Sequence, residues 1–367
     1  MTEAFEITGA GTLLVACLLA LGALVGVTRL WPRLATPGAK SVVGRVVAQL
    51  LVTVVLVAAV GVAVNRGGLW FVSWRDLGSV LLGPGDAAMT EHGAAPGSAA
   101  ATDVGPWGPA NANVAPSAAP TTDPHTGLTT YTVSGPASGH TGKVHVWTPP
   151  AGTAAPRRVL EVFHGYPVSA QSAFANLRLG DWAAQGLRDT VIVIPDWSPV
   201  EFDTECVDGP AGKMETWLTT DVPAWAVRTL GAAPDRGSWA TLGYSAGGYC
   251  ASMAAMRHPQ TYAAGISLGG YTRPVFSAHY TPFPPEGTPY DLPRLARTDP
   301  PPVALLTQYS HRDTYAAPSS ADLVAAARAP FSVTAWETPD TGHRVGAWKP
   351  LIPHAFAWLK KTAPGFA

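Results

Sequence analysis

The sequence predicts an α/β domain, a mostly parallel sheet with helices on both faces, preceded by two transmembrane helices. Three observations carry that expectation. Over residues 128–367, short apolar runs alternate with helix-like segments, the pattern of a parallel sheet buried on both sides. Residues 7–28 and 46–64 form two apolar runs without a charged residue. Each is about long enough to cross a hydrocarbon core of roughly 30 Å. Residues 83–127 are dominated by Ala, Pro, Gly and Thr, too little apolar surface to offset chain ordering, and are expected to form a flexible linker.

The chain has 367 residues, room for one large domain and accessory segments. Its net charge of −1 offers no concentrated basic surface and argues against a nucleic-acid partner. Three cysteines without a Cys-x-x-Cys pair argue against a thiol-based zinc or redox centre. No motif implies a metal or an organic cofactor.

Each element is justified in turn. The first apolar run has the length of a signal peptide, but Glu3 and Glu6 make its leading segment acidic rather than basic, and no clear small-x-small cleavage site precedes the charged loop. A buried hairpin of a soluble protein is the other reading of the two runs. Arg29, Arg33, Lys40 and Arg45 lie between or beside the runs, whereas the N-terminal tail has no Lys or Arg. The positive-inside rule then places the connecting loop in the cytoplasm and everything after Val64 outside. Residues 69–82, with Trp70, Phe71 and Trp74, suit an interfacial helix or a short third apolar element.

In the domain, strands are expected at 128–134, 143–148, 158–164, 190–195, 238–244, 264–268, 303–309 and 331–337. Helices are expected at 172–185, 216–230, 246–257, 319–328 and 350–360. Between the fifth strand and third helix lies Gly243-Tyr244-Ser245-Ala246-Gly247. The form G-x-S-x-G is weak alone. Its strand–turn–helix setting is that of a nucleophile elbow, where the flanking glycines relieve crowding and the helix N-terminus faces developing negative charge.

A serine nucleophile needs a base, and His343 follows the last strand, where the order Ser, acid, His puts one. His311 and His354 are its rivals. The acid is expected after the strand at 303–309, at Asp313, with Asp322 as the alternative at the start of the next helix. Two amides are expected to form an oxyanion hole: that of Ala246, and that of Tyr166 in His164-Gly165-Tyr166-Pro167, since Pro167 has no N–H. His164 is read as a support for that loop. Cys206 and Cys250 are a candidate disulfide if the domain lies outside the cytoplasm. The acidic loop with Glu201, Asp203, Glu205 and Asp208 lacks a regular calcium-ligand spacing and is read as solvated.

These residues resemble an esterase family of α/β-hydrolases that includes formylglutathione hydrolases and the secreted bacterial mycolyltransferases. The resemblance spans about 128–363. Besides the elbow it rests on Lys213-Met214-Glu215-Thr216-Trp217-Leu218-Thr219-Thr220-Asp221-Val222-Pro223-Ala224-Trp225, on Arg257-His258-Pro259, and on Gly342-His343 followed by Trp348. It implies the α/β-hydrolase fold, Ser245 as nucleophile, His343 as base and a carboxylate after the seventh strand. Mycolyltransferases carry an Asp-Gly-Leu-Arg-type run where this chain has His164-Gly165-Tyr166-Pro167. A membrane-anchored, extracytoplasmic serine esterase acting on ester or acyl-lipid substrates is therefore the expectation. Acyl transfer to a sugar or lipid alcohol is the first alternative, and a catalytically silent membrane-attached binding protein is the alternative from another class.

Overall fold

The computed structural model describes residues 3–82, 89–93, 119–149, 157–198, 203–277 and 279–367. Most of the expected linker, 83–88 and 94–118, and Glu201 of the acidic loop lie outside the described residues. Two compact units divide the chain. One is Met1–Ala87 with Pro339–Arg344; the other is Ala88–Thr338 with Val345–Ala367.

In the first unit, helices α1 (Ala10–Leu34) and α2 (Ala39–Gly68) pair across a short connection. Both are long and apolar enough to cross a membrane, with mean hydropathy of 2.4 and 2.6. Each extends beyond its uncharged run, taking in Arg29 and Arg33 in α1 and Lys40, Arg45 and Arg66 in α2. Arg and Lys are good helix formers, so a charge ends the apolar run without ending the helix. After α2 the backbone turns through Leu69 at φ 51°. Asn65 braces that turn: its amide donates to the Phe71 carbonyl and its carbonyl accepts from the Phe71 N–H, both at 2.8 Å. Helix α3 (Trp74–Leu82) follows, within the segment expected to be interfacial. Its start is capped by Ser73, whose hydroxyl accepts from the Asp76 N–H at 3.0 Å.

The second unit is built on a ten-stranded sheet. Its strands in chain order are β1 (Thr90–Gly93), β2 (Thr121–Thr122), β3 (Thr129–Ser134), β4 (Thr141–Trp147), β5 (Arg158–Phe163) and β6 (Thr190–Pro195). A separate two-stranded hairpin, β7 (Asp208–Gly209) and β8 (Gly212–Lys213), interrupts them. The main sheet resumes with β9 (Trp239–Tyr244), β10 (Ala264–Leu268), β11 (Ala304–Ser310) and β12 (Ser332–Thr338). The spatial order is β1-β12-β11-β10-β9-β5-β6-β4-β3-β2. Strands β6, β5, β9, β10, β11 and β12 run parallel, and antiparallel strands close both edges.

Two strands fall within the stretch read as linker. Thr90–Gly93 pairs antiparallel with β12, and Thr121–Thr122 pairs with β3. Composition concealed β1 because its pairing supplies what its own sequence does not: it covers the open edge of β12, whose Trp336 indole donates to Glu91 at 3.3 Å.

The sheet alternates as a strand of period two should. On β5, Val159 and Phe163 pack on one face with Trp225, Trp239 and Tyr249, while Leu160 and Val162 pack on the other with Ile192, Leu242 and Phe356. The helices are α4 (Ala170–Leu177), α5 (Leu179–Gly186), α6 (Met214–Thr216), α7 (Val222–Leu230), α8 (Ala246–Arg257), α9 (Leu292–Thr298), α10 (Ala316–Ala326), α11 (Val345–Trp348) and α12 (Ile352–Thr362). The single helix expected at 172–185 is broken at Arg178, which sits at φ 54°. The helix expected at 216–230 starts earlier and passes through a π-helical turn at Trp217–Asp221 between α6 and α7. Neither break involves a residue type that signals it; tertiary packing overrides a continuous apolar pattern.

Candidate active site

Ser245 stands where the sequence places it, between the end of β9 and the start of α8. Its backbone has φ 56° and ψ −127°, left-handed territory that a serine enters only when its surroundings enforce it. The enforcement is visible. Its N–H donates to the Leu268 carbonyl at the end of β10 at 3.0 Å, and its carbonyl accepts from Gly248 at 2.9 Å. Both flanking glycines are required by space: a Cβ on Gly243 would lie 1.9 Å from the Gly247 carbonyl oxygen, and one on Gly247 would lie 2.1 Å from that of Phe163. Ala246 is the first residue of α8, so its N–H has no acceptor within the helix.

The candidate acid lies in the same unit. Asp313 follows β11, which is separated from β9 only by β10. It is buried, and its Oδ1 accepts from the N–H groups of Tyr315 and Ala316, each at 3.0 Å. Those bonds orient the carboxylate at the entry to α10. The alternative acid, Asp322, is held by cations instead: Arg273 at 2.8 Å and Arg297 at 3.5 Å. His343 lies in the loop after β12, within the first unit, and its N–H donates to the Leu69 carbonyl at 2.8 Å. Of its rivals, His311 is exposed and pairs with Glu337 at 3.1 Å, and His354 is exposed on α12.

The loop after β5 is braced from below. His164 is buried and stacks on Trp197, with ring centroids 5.3 Å apart. Its Nδ1 lies 3.0 Å from the Gly165 carbonyl, and its Nε2 is 3.8 Å from Asp196. The Trp197 indole donates to the His164 carbonyl at 3.0 Å. Burial pulls the His164 pKa below its ordinary value, although the Gly165 carbonyl and Asp196 oppose it. Burial works the other way on Asp196, but hydrogen bonding and charge from His145, and then charge from His164, leave its carboxyl below the usual range. Tyr166, the expected oxyanion donor, sits past this brace in a partly exposed turn.

Cys206 and Cys250 form a disulfide. It ties the loop after β6 to the elbow helix α8. That loop is not solvated as its composition suggested. Asp203 and Glu205 are buried, and Glu205 accepts from the Tyr271 hydroxyl. Burial pushes the Asp203 carboxyl up to about 6 and the Glu205 carboxyl well above its ordinary value, with Asp203 adding repulsion to the latter. Packing of this loop against aromatic side chains, not its local sequence, decided its environment. Among the described residues no group of three or more His, Cys, Asp or Glu is arranged to hold a metal ion.

The run 213–225 is structural. Glu215 bonds Arg257 at 2.7 Å, His258 at 2.8 Å and the Tyr290 hydroxyl at 2.6 Å. Burial opposes its ionisation, but these partners together hold its carboxyl down at about 2. Asp221 accepts from Ala137 and Ser138 in the β3–β4 turn at 3.0 and 2.9 Å. The two motifs at 213–225 and 257–259 thus meet in one ion-paired cluster at the far end of α8. Sequence reading noted both motifs without pairing them, because nothing local links residues 42 apart.

No family model matches the chain. An uncharacterized protein of Corynebacterium glutamicum is 28% identical over 90 residues, 24% of this chain and 21% of the relative. The chain therefore matches about a fifth of that relative's length. Among solved structures, an S-formylglutathione hydrolase from Agrobacterium tumefaciens superimposes with a TM-score of 0.55 at 14% identity, covering 67% of this chain and 98% of the other. A ferulic acid esterase superimposes with a TM-score of 0.52 at 15% identity, covering 65% and 98%. The sheet and helices of this chain are an α/β-hydrolase fold.

Proposed function

We propose that this chain is a membrane-anchored serine esterase with its α/β-hydrolase unit on the extracytoplasmic side. The observation that carries the reading is the enforced backbone of Ser245 at the β9–α8 elbow. A plain strand end has no reason to hold a serine at φ 56° between two glycines that admit no Cβ. In this mechanism the Ser245 hydroxyl attacks the ester carbonyl as His343 takes its proton. Asp313 holds the imidazole tautomer and stabilises the imidazolium. The Ala246 and Tyr166 amides receive the oxyanion. His343 returns the proton to the leaving alcohol, and water then resolves the acyl-enzyme by the same path.

The Arg273 and Arg297 contacts of Asp322 favour Asp313 as the acid, because a carboxylate already paired with guanidinium is a poorer partner for imidazole. Membrane anchoring is supported by side chains that remain outside: Leu18, Leu21, Leu51, Val54 and Val57 are all exposed, whereas a core helix of a soluble protein buries such residues. The extracytoplasmic side is supported by Arg29, Arg33, Lys40 and Arg45, which lie at the ends of α1 and α2 that flank their connection, and by the Cys206–Cys250 disulfide, which persists in oxidising compartments.

A fluorophosphonate probe is expected to label the full chain, and Ser245→Ala to abolish labelling. A folded wild type that resists the probe overturns the reading. Product analysis with a p-nitrophenyl acyl ester, with and without glycerol or trehalose, is expected to give free acid; an acylated acceptor would replace the esterase with an acyltransferase.

A further inference from the structure

The loop that carries His343 belongs to the same compact unit as the hairpin: Pro339–Arg344 groups with Met1–Ala87. The contacts responsible are specific. Arg344 grips Asp76 with both terminal nitrogens, Nη1 to Oδ2 at 2.7 Å and Nη2 to Oδ1 at 2.6 Å. Asp76 is buried, and Arg344 is largely so. The same guanidinium donates to the Trp70 carbonyl at 2.8 Å and lies over the Phe71 ring, 4.7 Å from its centroid. The His343 N–H donates to the Leu69 carbonyl at 2.8 Å. Gly342 runs so close to the chain opposite that a Cβ there would lie 1.8 Å from the Trp70 carbonyl oxygen.

Three consecutive residues of the loop, 342, 343 and 344, are thus each fixed by residues 69–76. This is a two-point hydrogen bond to a buried carboxylate, a backbone hydrogen bond and a steric fit. The bidentate pair fixes orientation as well as position, because both partners are planar forks. Asp76 is itself locked: its Oδ2 accepts from the Val72 N–H at 3.1 Å and its own N–H is bonded to Ser73. A short loop bearing a base needs such a frame, since a displacement of about 1 Å in a reacting group can cost roughly a hundredfold in rate.

We propose that the juxtamembrane segment 69–76 is a positioning element for His343. Asp76 and Arg344 are the positioning residues. The proposal rests on the reading of His343 as the base. In a chain that lacked the segment, the loop would lose these contacts at all three residues. Activity is thereby tied to the integrity of the segment emerging from the membrane.

The test uses the full chain in detergent, with Asp76→Asn, Arg344→Met, the double variant and Gly342→Ala. Gly342→Ala opens the contact without touching a charge. Labelling by the fluorophosphonate probe, kcat, KM and the pH profile of kcat are read beside thermal unfolding. The proposal expects kcat to fall about ten- to a hundredfold with KM within about twofold. It expects the pH dependence attributed to His343 to shift or flatten, and the double variant to be no slower than the worse single one, as for residues acting through one contact. Arg344→Lys, which keeps the charge but not the fork, should fall in between. Folded variants with wild-type labelling and kcat overturn the proposal. So does unfolding of all of them, because the contact is then structural only. If Ser245→Ala still labels, the catalytic reading itself has failed. If Ser245→Ala and His343→Ala abolish labelling while Asp76→Asn does not slow it, only the positioning role has failed.

Discussion

The two units both carry many large apolar residues and use them in opposite ways. In α1 and α2 the large aliphatic side chains stay outside: Leu18 is 57% exposed and Val57 65%. In the sheet, Leu160, Leu242 and Ile266 are fully buried, and Trp239 with them. The same chemistry yields two structures because the partner differs. Each strand buries alternate faces against helices, so its apolar groups are removed from water by the protein itself. Each hairpin helix satisfies its own backbone hydrogen bonds and leaves its large aliphatic side chains uncovered by the rest of the chain.

The sharpest way to break this comparison is to shorten one residue in each unit. Trp239→Ala in the full chain, in detergent, is expected to lower stability by about 3–5 kcal/mol, since it empties a closed site and leaves the Ala233 carbonyl without its indole donor. Leu18→Ala is expected to stay within about 0.5 kcal/mol. Denaturant unfolding followed by tryptophan fluorescence measures both; equal losses would mean that the hairpin packs as a core.

A second, smaller difference is covalent. The disulfide closes 44 residues of the second unit, and the hairpin has only the free, exposed Cys17. Replacing Cys206 and Cys250 by Ser is expected to destabilise the hydrolase unit by roughly 2–4 kcal/mol, whereas Cys17→Ser leaves it unchanged. A thermal shift common to both variants would contradict this.

A third difference, read as a slope in pH and smallest per pH unit, separates two glutamates within the second unit. Glu161 is buried on β5 with the Tyr262 hydroxyl at 2.6 Å, and burial raises its carboxyl from 4.5 to about 8 against that hydrogen bond. Glu215, buried among cations, is lowered from 4.5 to about 2. The signs are opposite. For Glu161 the folded state holds a proton the unfolded state releases, so stability falls as pH rises from about 4.5 to 8. For Glu215 stability is present above about 4.5 and is lost as pH falls towards 2. Each slope is at most about 1.4 kcal/mol per pH unit. Glu161→Gln is expected to flatten the alkaline limb and leave the acid limb, and Glu215→Gln the reverse. A common change in both limbs would reject the assignment.

Much of the architecture is legible because local rules write it into contiguous residues. The parallel strands read as apolar runs, the elbow as two glycines around a serine, and α8 matches its expected span because Ser245 and Arg257 bound a small-residue helix. The broken helix at Arg178, the π-turn at Trp217–Asp221 and strand β1 are not legible, since each depends on what lies opposite. At the site, Ser245 and Asp313 occupy their expected strand ends. The environment of Asp203 and Glu205 went unread because burial is a property of the packed loop.

By itself the sequence determined which segments are apolar enough to leave water, the order of serine, carboxylate and histidine along the chain, and a pair of cysteines able to bond. These follow from composition, period and turn chemistry, which act over a few residues. Only the tertiary structure decided which apolar surfaces stay open, which acids are buried with cations or without them, and that Asp76 holds Arg344 from 268 residues away. Such contacts leave no trace in either local stretch, because their energy exists only after the chain has closed the distance between them.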